Sequence, residues 1–220
     1  YQSGHKLYSL QDLGETAPLA RLACPQSPNP KRVLLLSGCY SGALKEVLRH
    51  GVWQVEGVEL DFWSGKLATA SLAEEDGRAL QDPRVRLYND DPRRFVRSCQ
   101  KRYDLIWLQA PEPTTLAANR CYTLEFFQEV QKILEPGGVF VLGPLTAQGA
   151  YADPWILRRN GVLLRTLQAC FPKSQVTAGS SCLFFATSGN SLCLERKVLA
   201  ERLKERGLPF ADFFSAIDPE

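Results

Sequence analysis

The stretch RVLLLSGCYSGALKEVL, Arg32 to Leu48, decides the fold. Four apolar residues, Val33 to Leu36, run without polar alternation into Ser37-Gly38-Cys39-Tyr40-Ser41-Gly42, and a helical pattern follows at 42–49. A strand that is apolar at every position is buried on both faces, as in a parallel sheet covered by helices. Small residues at a strand-to-helix joint let the backbone approach a ligand closely. The stretch therefore predicts an opening βα unit whose turn faces a ligand.

The same rhythm continues downstream. Strands are expected at 33–37, 54–60, 84–88, 103–108, 139–142, 174–178 and 182–187, and helices at 42–49, 62–73, 92–100, 121–134, 155–170 and 194–206. The last two strands, joined by AGSS with no helix between them, predict an antiparallel edge. The fold class is α/β, a doubly wound, mostly parallel seven-stranded sheet. Residues 1–30, ending in the Pro-punctuated CPQSPNPK, are expected to form an N-terminal segment and linker. Residues 31–220 then form a Rossmann-like nucleoside-binding domain, with the aromatic tail PFADFFSAI packed on its sheet.

Composition narrows the function classes. In 220 residues, 45% are hydrophobic and 23% charged, and the net charge is +2. No basic stripe interleaves with aromatics, which excludes nucleic acid as the expected partner. The seven cysteines, Cys24, Cys39, Cys99, Cys121, Cys170, Cys182 and Cys193, are odd in number and never spaced C-x-x-C. That argues against a disulfide framework or zinc site and suits a reducing, cytoplasmic setting. His5 and His50 are the only imidazoles, too few for a His-based metal centre or triad, so no metal is expected. His50, before Gly51, is expected to favour the negative end of a helix dipole. No signal peptide or bilayer-spanning apolar run occurs. With no methionine at all, the chain is expected to be a piece of something longer. A membrane segment upstream would make it the soluble domain of a membrane protein.

Doubly wound sheets bind ligands beyond the carboxyl ends of their strands. The first strand ends in the Gly turn. The second ends in Glu59-Leu60-Asp61, roughly 20 residues beyond the turn, where such folds keep an acid for ribose hydroxyls. The third ends in Asn89-Asp90-Asp91-Pro92, which reads either as an acceptor for an adenine amine or as a purely local helix start, with Asp91 the N-cap and Pro92 at N1. No G-x-G-x-x-G is present and no Lys or Arg sits in the turn. The ligand is thus a nucleoside with a small or cationic tail rather than a dinucleotide.

These residues resemble the spermidine synthase (polyamine aminopropyltransferase) family, and within it the bacterial domains fused to membrane segments. NPKRVLLLSGCYSGALKEVLRHG is similar to the family's N-P-K-x-V-L-x-x-G-G-G-D-G-G-x-x-R-E-V-L-x-H. GVELD resembles V-E-I-D, DPRVRLYNDD resembles D-P-R-V-x-x-x-x-G-D, and YDLIWLQAPEP resembles Y-D-x-I-x-x-D-S-S-D-P. CYTLEFFQEVQKILEPGGVFVL, LLRTLQACFP, LAERLKERGLP and the opening Tyr1-Gln2 extend the likeness along the chain.

The resemblance implies a Rossmann-like fold of the S-adenosylmethionine-dependent methyltransferase type. It also implies a co-substrate, decarboxylated S-adenosylmethionine or S-adenosylmethionine, an amine acceptor, and a homodimer as a further expectation. Carried over, Glu59 holds the ribose with Leu60 beside it, and Asp91 with Asp90 meets the adenine amine. Ser37, Gly38, Cys39 and Gly42 give the backbone approach, and Gln2 touches the nucleoside.

The departures fall on the chemistry. Aminopropyl transfer needs an unprotonated amine, and a carboxylate beside it can take the proton. The family's catalytic Asp is Gln109 here, a neutral amide that cannot act as a base. The second Asp is Glu112, the candidate surviving acid, and the two Ser are Ala110 and Pro111. Tyr40 replaces the Asp of the Gly turn, Gly143 stands where a Gln is expected, and GETAPLARLA lacks the acceptor-site Y-H-E. Three readings stay open: an altered transferase of this family, a non-catalytic nucleoside-binding or regulatory module, and an S-adenosylmethionine-dependent methyltransferase.

Overall fold

The computed structural model describes residues 13–61, 74–147, 153–177, 181–189, 192 and 194–209. Seven strands form one sheet: β1 (Arg32–Leu36), β2 (Gln54–Glu59), β3 (Val85–Asn89), β4 (Tyr103–Leu108), β5 (Leu134–Thr146), β6 (Lys173–Val176) and β7 (Ser181–Thr187). Their order is β3-β2-β1-β4-β5-β7-β6. The first five pair in parallel, while β7 runs antiparallel to both β5 and β6. The α/β, doubly wound sheet with an antiparallel edge is as the sequence predicts. β5 is longer than the expected 139–142. It reaches back to pair Leu134 with Tyr103, through an irregularity between Tyr103 and Leu105, and forward to pair Thr146 with Ser181.

Around the sheet lie α1 (Leu13–Ala23), α2 (Ala43–Leu48), α3 (Glu74–Leu80), α4 (Pro92–Ser98), α5 (Leu116–Asn119), α6 (Leu124–Lys132), α7 (Pro154–Cys170) and α8 (Arg196–Glu205). The helix expected at 62–73, Cys193, Gln2 and the tail beyond Pro209 lie outside the described residues. The single helix expected at 121–134 is instead α6, preceded by the short α5. Thr123 sets its start at Leu124 by accepting the Phe126 N–H (3.3 Å) as N-cap, and Leu134 is claimed by β5.

β1 shows why the sheet needs helices on both sides. Leu34 and Leu36 face one core with Ile106, Leu108, Phe140 and Phe184, under Phe126, Phe127 and Val130 of α6 and Leu163 and Leu167 of α7. Val33 and Leu35 face the other, with Leu105, Trp107, Val141 and Phe185, under α1, α2 and Leu199 of α8. Burying such a side chain stabilises by about 1.5–3 kcal/mol, so both faces contribute. Val33 to Leu36 are all apolar because neither face meets water there.

The boundary expected near residue 30 is not a packing boundary. Ala20, Leu22, Ala23 and Cys24 belong to the second core, and Pro25 and Gln26 are buried rather than forming a linker. The Pro-rich turn lacks regular partners for its carbonyls, and α8 supplies them. Arg202 Nη1 donates to Pro25 O (2.5 Å), and Arg206 Nη2 donates to Ser27 O (2.7 Å) and Pro28 O (2.9 Å). Arg206 also donates to His50 Nδ1 at 3.0 Å. Burial, then the charges of Arg206, Arg49 and Arg21, push His50 down to about 3. The imidazole is therefore neutral, and His50 acts as an acceptor rather than as the dipole-favouring cation expected.

The buried polar centre of the sheet is Glu56 on β2, 1% exposed. It accepts from Tyr103 OH (2.6 Å), Tyr88 OH (2.7 Å) and Lys101 Nζ (2.7 Å), tying β2 to β3 and to the start of β4. Burial pushes its acidity down, but the bonds from Lys101, Tyr103 and Tyr88 outweigh that, and its pKa is lowered. A lowered carboxyl contributes stability that is present above its ordinary value of 4.5 and lost as pH falls through the folded pKa. Glu56→Gln should cost about 2–4 kcal/mol at pH 7, since three donors lose a charged acceptor. The deficit measured by urea unfolding should shrink as pH drops below 4.5.

Candidate functional site

The strand order reverses between β1 and β4, and a crevice opens at the carboxyl ends where the chain winds in opposite directions. The turn after β1 and the segment after β4 meet there. Gln109 N donates to Leu36 O at 2.9 Å, and Ser37 N donates to Val58 O at 2.9 Å, so the turn is fastened to both neighbouring strands. Ser37 takes a left-handed φ of 65°, uncommon for a residue with a side chain, and Gly38 follows at φ 80°. Gly38 is required twice over. Its φ favours glycine, and a Cβ there would lie 2.5 Å from Gln109 Oε1 and 2.8 Å from Gln109 Cβ. Ser41 Oγ lies 2.7 Å from Gly38 O and 3.0 Å from Gln109 Oε1, while Gln109 Nε2 is buried without a partner.

Glu59, at the end of β2, accepts the Cys39 N–H at 2.6 Å. Burial pushes its pKa up to about 7, with only the Cys39 backbone and thiol and the Gly38 backbone holding it down. Cys39 fits because Gly57 leaves room: a Cβ at Gly57 would lie 2.5 Å from Cys39 Sγ. Burial and the neighbouring Glu59 charge hold the Cys39 thiol far above its ordinary value, so it is no nucleophile. The same two causes push Tyr40 up to about 12.

At the end of β3, Asp91 accepts from Arg93 N and Arg94 N, both at 3.0 Å, and caps α4 with Pro92 in the first turn. The local helix-start reading is thus realised. Asp91 also forms an ion pair with Arg120. Asp90 Oδ1 accepts from Asp91 N (2.6 Å) and pairs with Arg94. Leu60 is half exposed at 51%. Ser37, Leu60, Asp91, Ala110 and Pro111 line a cavity of about 150 Å³, closed on its other side by Thr115, Ala118, Arg120 and Cys121. Gly42, with φ 82°, starts α2 away from this lining.

Glu112 stands apart. Its Oε1 accepts from Thr146 N and its Oε2 from Arg159 Nη1, each at 2.6 Å. Burial raises its pKa, but Thr146 and Arg159 outweigh this and leave it lowered. A carboxylate so held is a poor base. Arg159 and Arg120 were missed by sequence reading, because neither falls at a strand end. Among the described residues no group of His, Cys, Asp or Glu could hold a metal ion, and no helix is long and apolar enough to cross a membrane.

A strand-end crevice with a glycine turn, an acid and an Asp-capped helix defines a Rossmann-like domain of the methyltransferase type. Residues 13–148 match the Spermine/spermidine synthase domain, and the chain belongs to that family. It is 39% identical over 113 residues to the polyamine aminopropyltransferase of Korarchaeum cryptofilum, covering 51% of this chain and 35% of that protein. It is 35% identical over 114 residues to that of Pectobacterium atrosepticum, covering 51% and 39%. The matches thus span less than half the length of these relatives. A spermidine synthase solved with the transition state analogue AdoDATO superposes with a TM-score of 0.76 at 21% identity, over 94% of this chain and 72% of that one. Human methyltransferase-like protein 13 in complex with SAH gives 0.62 at 20%, over 90% and 92%. Both share the fold.

Glu59 generates a pH prediction. Its folded pKa of about 7 lies above the ordinary 4.5, so between those values the folded state holds a proton that the unfolded chain has lost. Stability therefore falls as pH rises through this window. Glu59→Gln keeps an acceptor for Cys39 N but cannot ionise. Relative to the wild type it should gain stability between pH 4.5 and pH 8 in chemical denaturation; a pH-independent difference would contradict the assignment.

Proposed function

We propose that the chain binds an adenosine-based sulfur nucleoside, of the decarboxylated S-adenosylmethionine or S-adenosylmethionine class, in the crevice between β1 and β4. Glu59 accepts hydrogen bonds from the ribose hydroxyls, the Ser37–Gly42 backbone borders the sugar and tail, and Asp91 faces the adenine amine. The observation that carries this is the Glu59 carboxylate, desolvated at a strand end and bonded, among the described residues, to the turn it faces. A diol would supply the donors such a carboxylate lacks. Family membership and the ligands named for the two solved structures support the same class.

Turnover is a separate matter. Aminopropyl transfer requires a group that takes the amine's proton. Gln109 is neutral, and Glu112 is occupied by Thr146 and Arg159 with its basicity reduced. These two observations favour a nucleoside-binding module with slow or no transfer over an efficient polyamine synthase.

Titration calorimetry with methylthioadenosine tests the pocket. Glu59→Ala should weaken binding by about 1.5–3 kcal/mol, the range for hydrogen bonds to a charged group; an unchanged affinity would sink the assignment. Wild-type conversion of putrescine or spermidine with decarboxylated S-adenosylmethionine should be very slow or nil. Gln109→Asp should raise any residual rate, general-base help being worth roughly 10²–10⁴-fold. Efficient wild-type synthesis would show that another base acts.

A further inference from the structure

At the amino end of the sheet, opposite the crevice, lies a second concave surface. A cleft of about 410 Å³ opens there, lined by Arg32, Trp53, Gln54, Arg84, Arg86 and Lys101, with no acid among its described lining residues. Three neighbouring strands gather cations that the sequence keeps apart. The register sets Arg32 of β1 beside Gln54 of β2, and Glu56 of β2 beside Arg86 of β3. Partners in a parallel register share a face, as do residues two apart on a strand. Arg32, Gln54 and Arg86 therefore stand on one face of the sheet. Only β2 separates the strands of the two arginines, at roughly 4.8 Å per strand, so both long side chains can reach one ligand.

These cations differ in what they already hold. Arg84 is fully engaged: Nε and Nη2 donate to Asp82 (2.9 and 2.8 Å), and Nη1 donates to Leu48 O and Val52 O (3.3 Å each). Lys101 pairs with the buried Glu56 at 2.7 Å. Asp104 lies close by, but it accepts the backbone N–H groups of Lys31 and Arg32. Arg32 and Arg86 are exposed, and their guanidiniums have no partner among the described residues. The bond to Glu56 raises the Lys101 pKa while the Arg86 charge opposes it, so the two cations sense each other. Beside them Trp53 is 67% exposed, with Lys31 Nζ 4.5 Å from its ring centroid. A guanidinium fork matches phosphate oxygens bidentately, and an open indole takes a flat ring. Two free forks in one cleft suit a compact anion better than a nucleic-acid strand, which needs a longer basic track.

We propose that this cleft binds a nucleoside polyphosphate, with its phosphoryl oxygens on Arg32 and Arg86 and its base on Trp53. The site lies at the opposite end of the strands from the crevice, and it stands whether or not the crevice takes a sulfur nucleoside.

Calorimetry with ATP, inorganic tripolyphosphate and a single-stranded oligonucleotide tests it, at about 0.15 M salt so that diffuse attraction is screened. ATP and tripolyphosphate should both bind the wild type. Arg32→Gln and Arg86→Gln should each weaken both ligands roughly fivefold or more, as loss of a charge-assisted hydrogen bond requires. Both side chains are exposed and unpartnered, so the melting temperature should stay unchanged, which separates lost binding from lost folding. Trp53→Ala should weaken ATP and leave tripolyphosphate as it was. Absence of ATP binding, or an affinity indifferent to both arginine variants, overturns the proposal. An ATP affinity indifferent to Trp53→Ala removes the nucleoside from it and overturns it too. Displacement of ATP by methylthioadenosine would put ATP in the crevice instead. An oligonucleotide that binds more tightly than ATP would make this face a nucleic-acid surface, against the proposal.

Discussion

Everything in this molecule hangs from β1. Its four central residues are fully buried, two on each face, and it pairs in parallel on both sides, with β2 and with β4. A strand so enclosed leaves its polar business to its ends. The amino end is fixed by Asp104, which accepts from Lys31 N (2.9 Å) and Arg32 N (2.8 Å). At the carboxyl end the strand order reverses, and the loops after β1 and β4 diverge around a gap. The crevice is a consequence of the winding, and its chemistry is set by which side chains the neighbouring strands deliver to their tips.

Much of this was legible in the sequence. Unbroken apolar runs distinguish two-sided burial from the alternation of a sheet with one wet face, and Val33 to Leu36 carried that signal. Strand ends were readable too, so Ser37, Glu59 and Asp91 could be located by spacing, while Gln109 was located by the family resemblance. What could not be read were contacts whose partners lie on distant elements. The Pro-rich stretch before β1 looks like a linker because its burial depends on Arg202 and Arg206, nearly the whole chain away. His50 looks like a helix-end cation until Arg206 is seen beside it. Glu112 looks available as an acid until Arg159 closes on it from α7. In each case an arginine supplied by a later helix changes the state or surroundings of a group whose local sequence suggests something else.

Arginines also set the electrostatic character of the crevice. A transferase acting on polyamines has to hold multiply charged amines, which calls for free carboxylates. Here the carboxylates around the cavity are engaged by the chain itself: Asp91 by Arg120, Asp90 by Arg94, Glu112 by Arg159. Among the described residues no cation is paired with Glu59, and burial favours its protonated form near neutrality. The fold of the family is retained while Asp90, Asp91 and Glu112 are each held by an arginine of the chain.

The turn after β1 has a kinetic consequence. It is anchored by Ser37 N to Val58 O, by Cys39 N to Glu59, by Ser41 to Gly38 O, and by the seat of Gln109 on Gly38. A loop held at so many points is preorganised, and the left-handed strain at Ser37 is met once, during folding, rather than at each encounter with a ligand. Ordering a flexible side chain on association costs roughly 0.5–1.5 kcal/mol each time, and this turn avoids repeating that cost. On the proposed nucleoside reading, recognition would be that of a rigid template, with arrival governed by diffusion and desolvation instead of by closure of the loop.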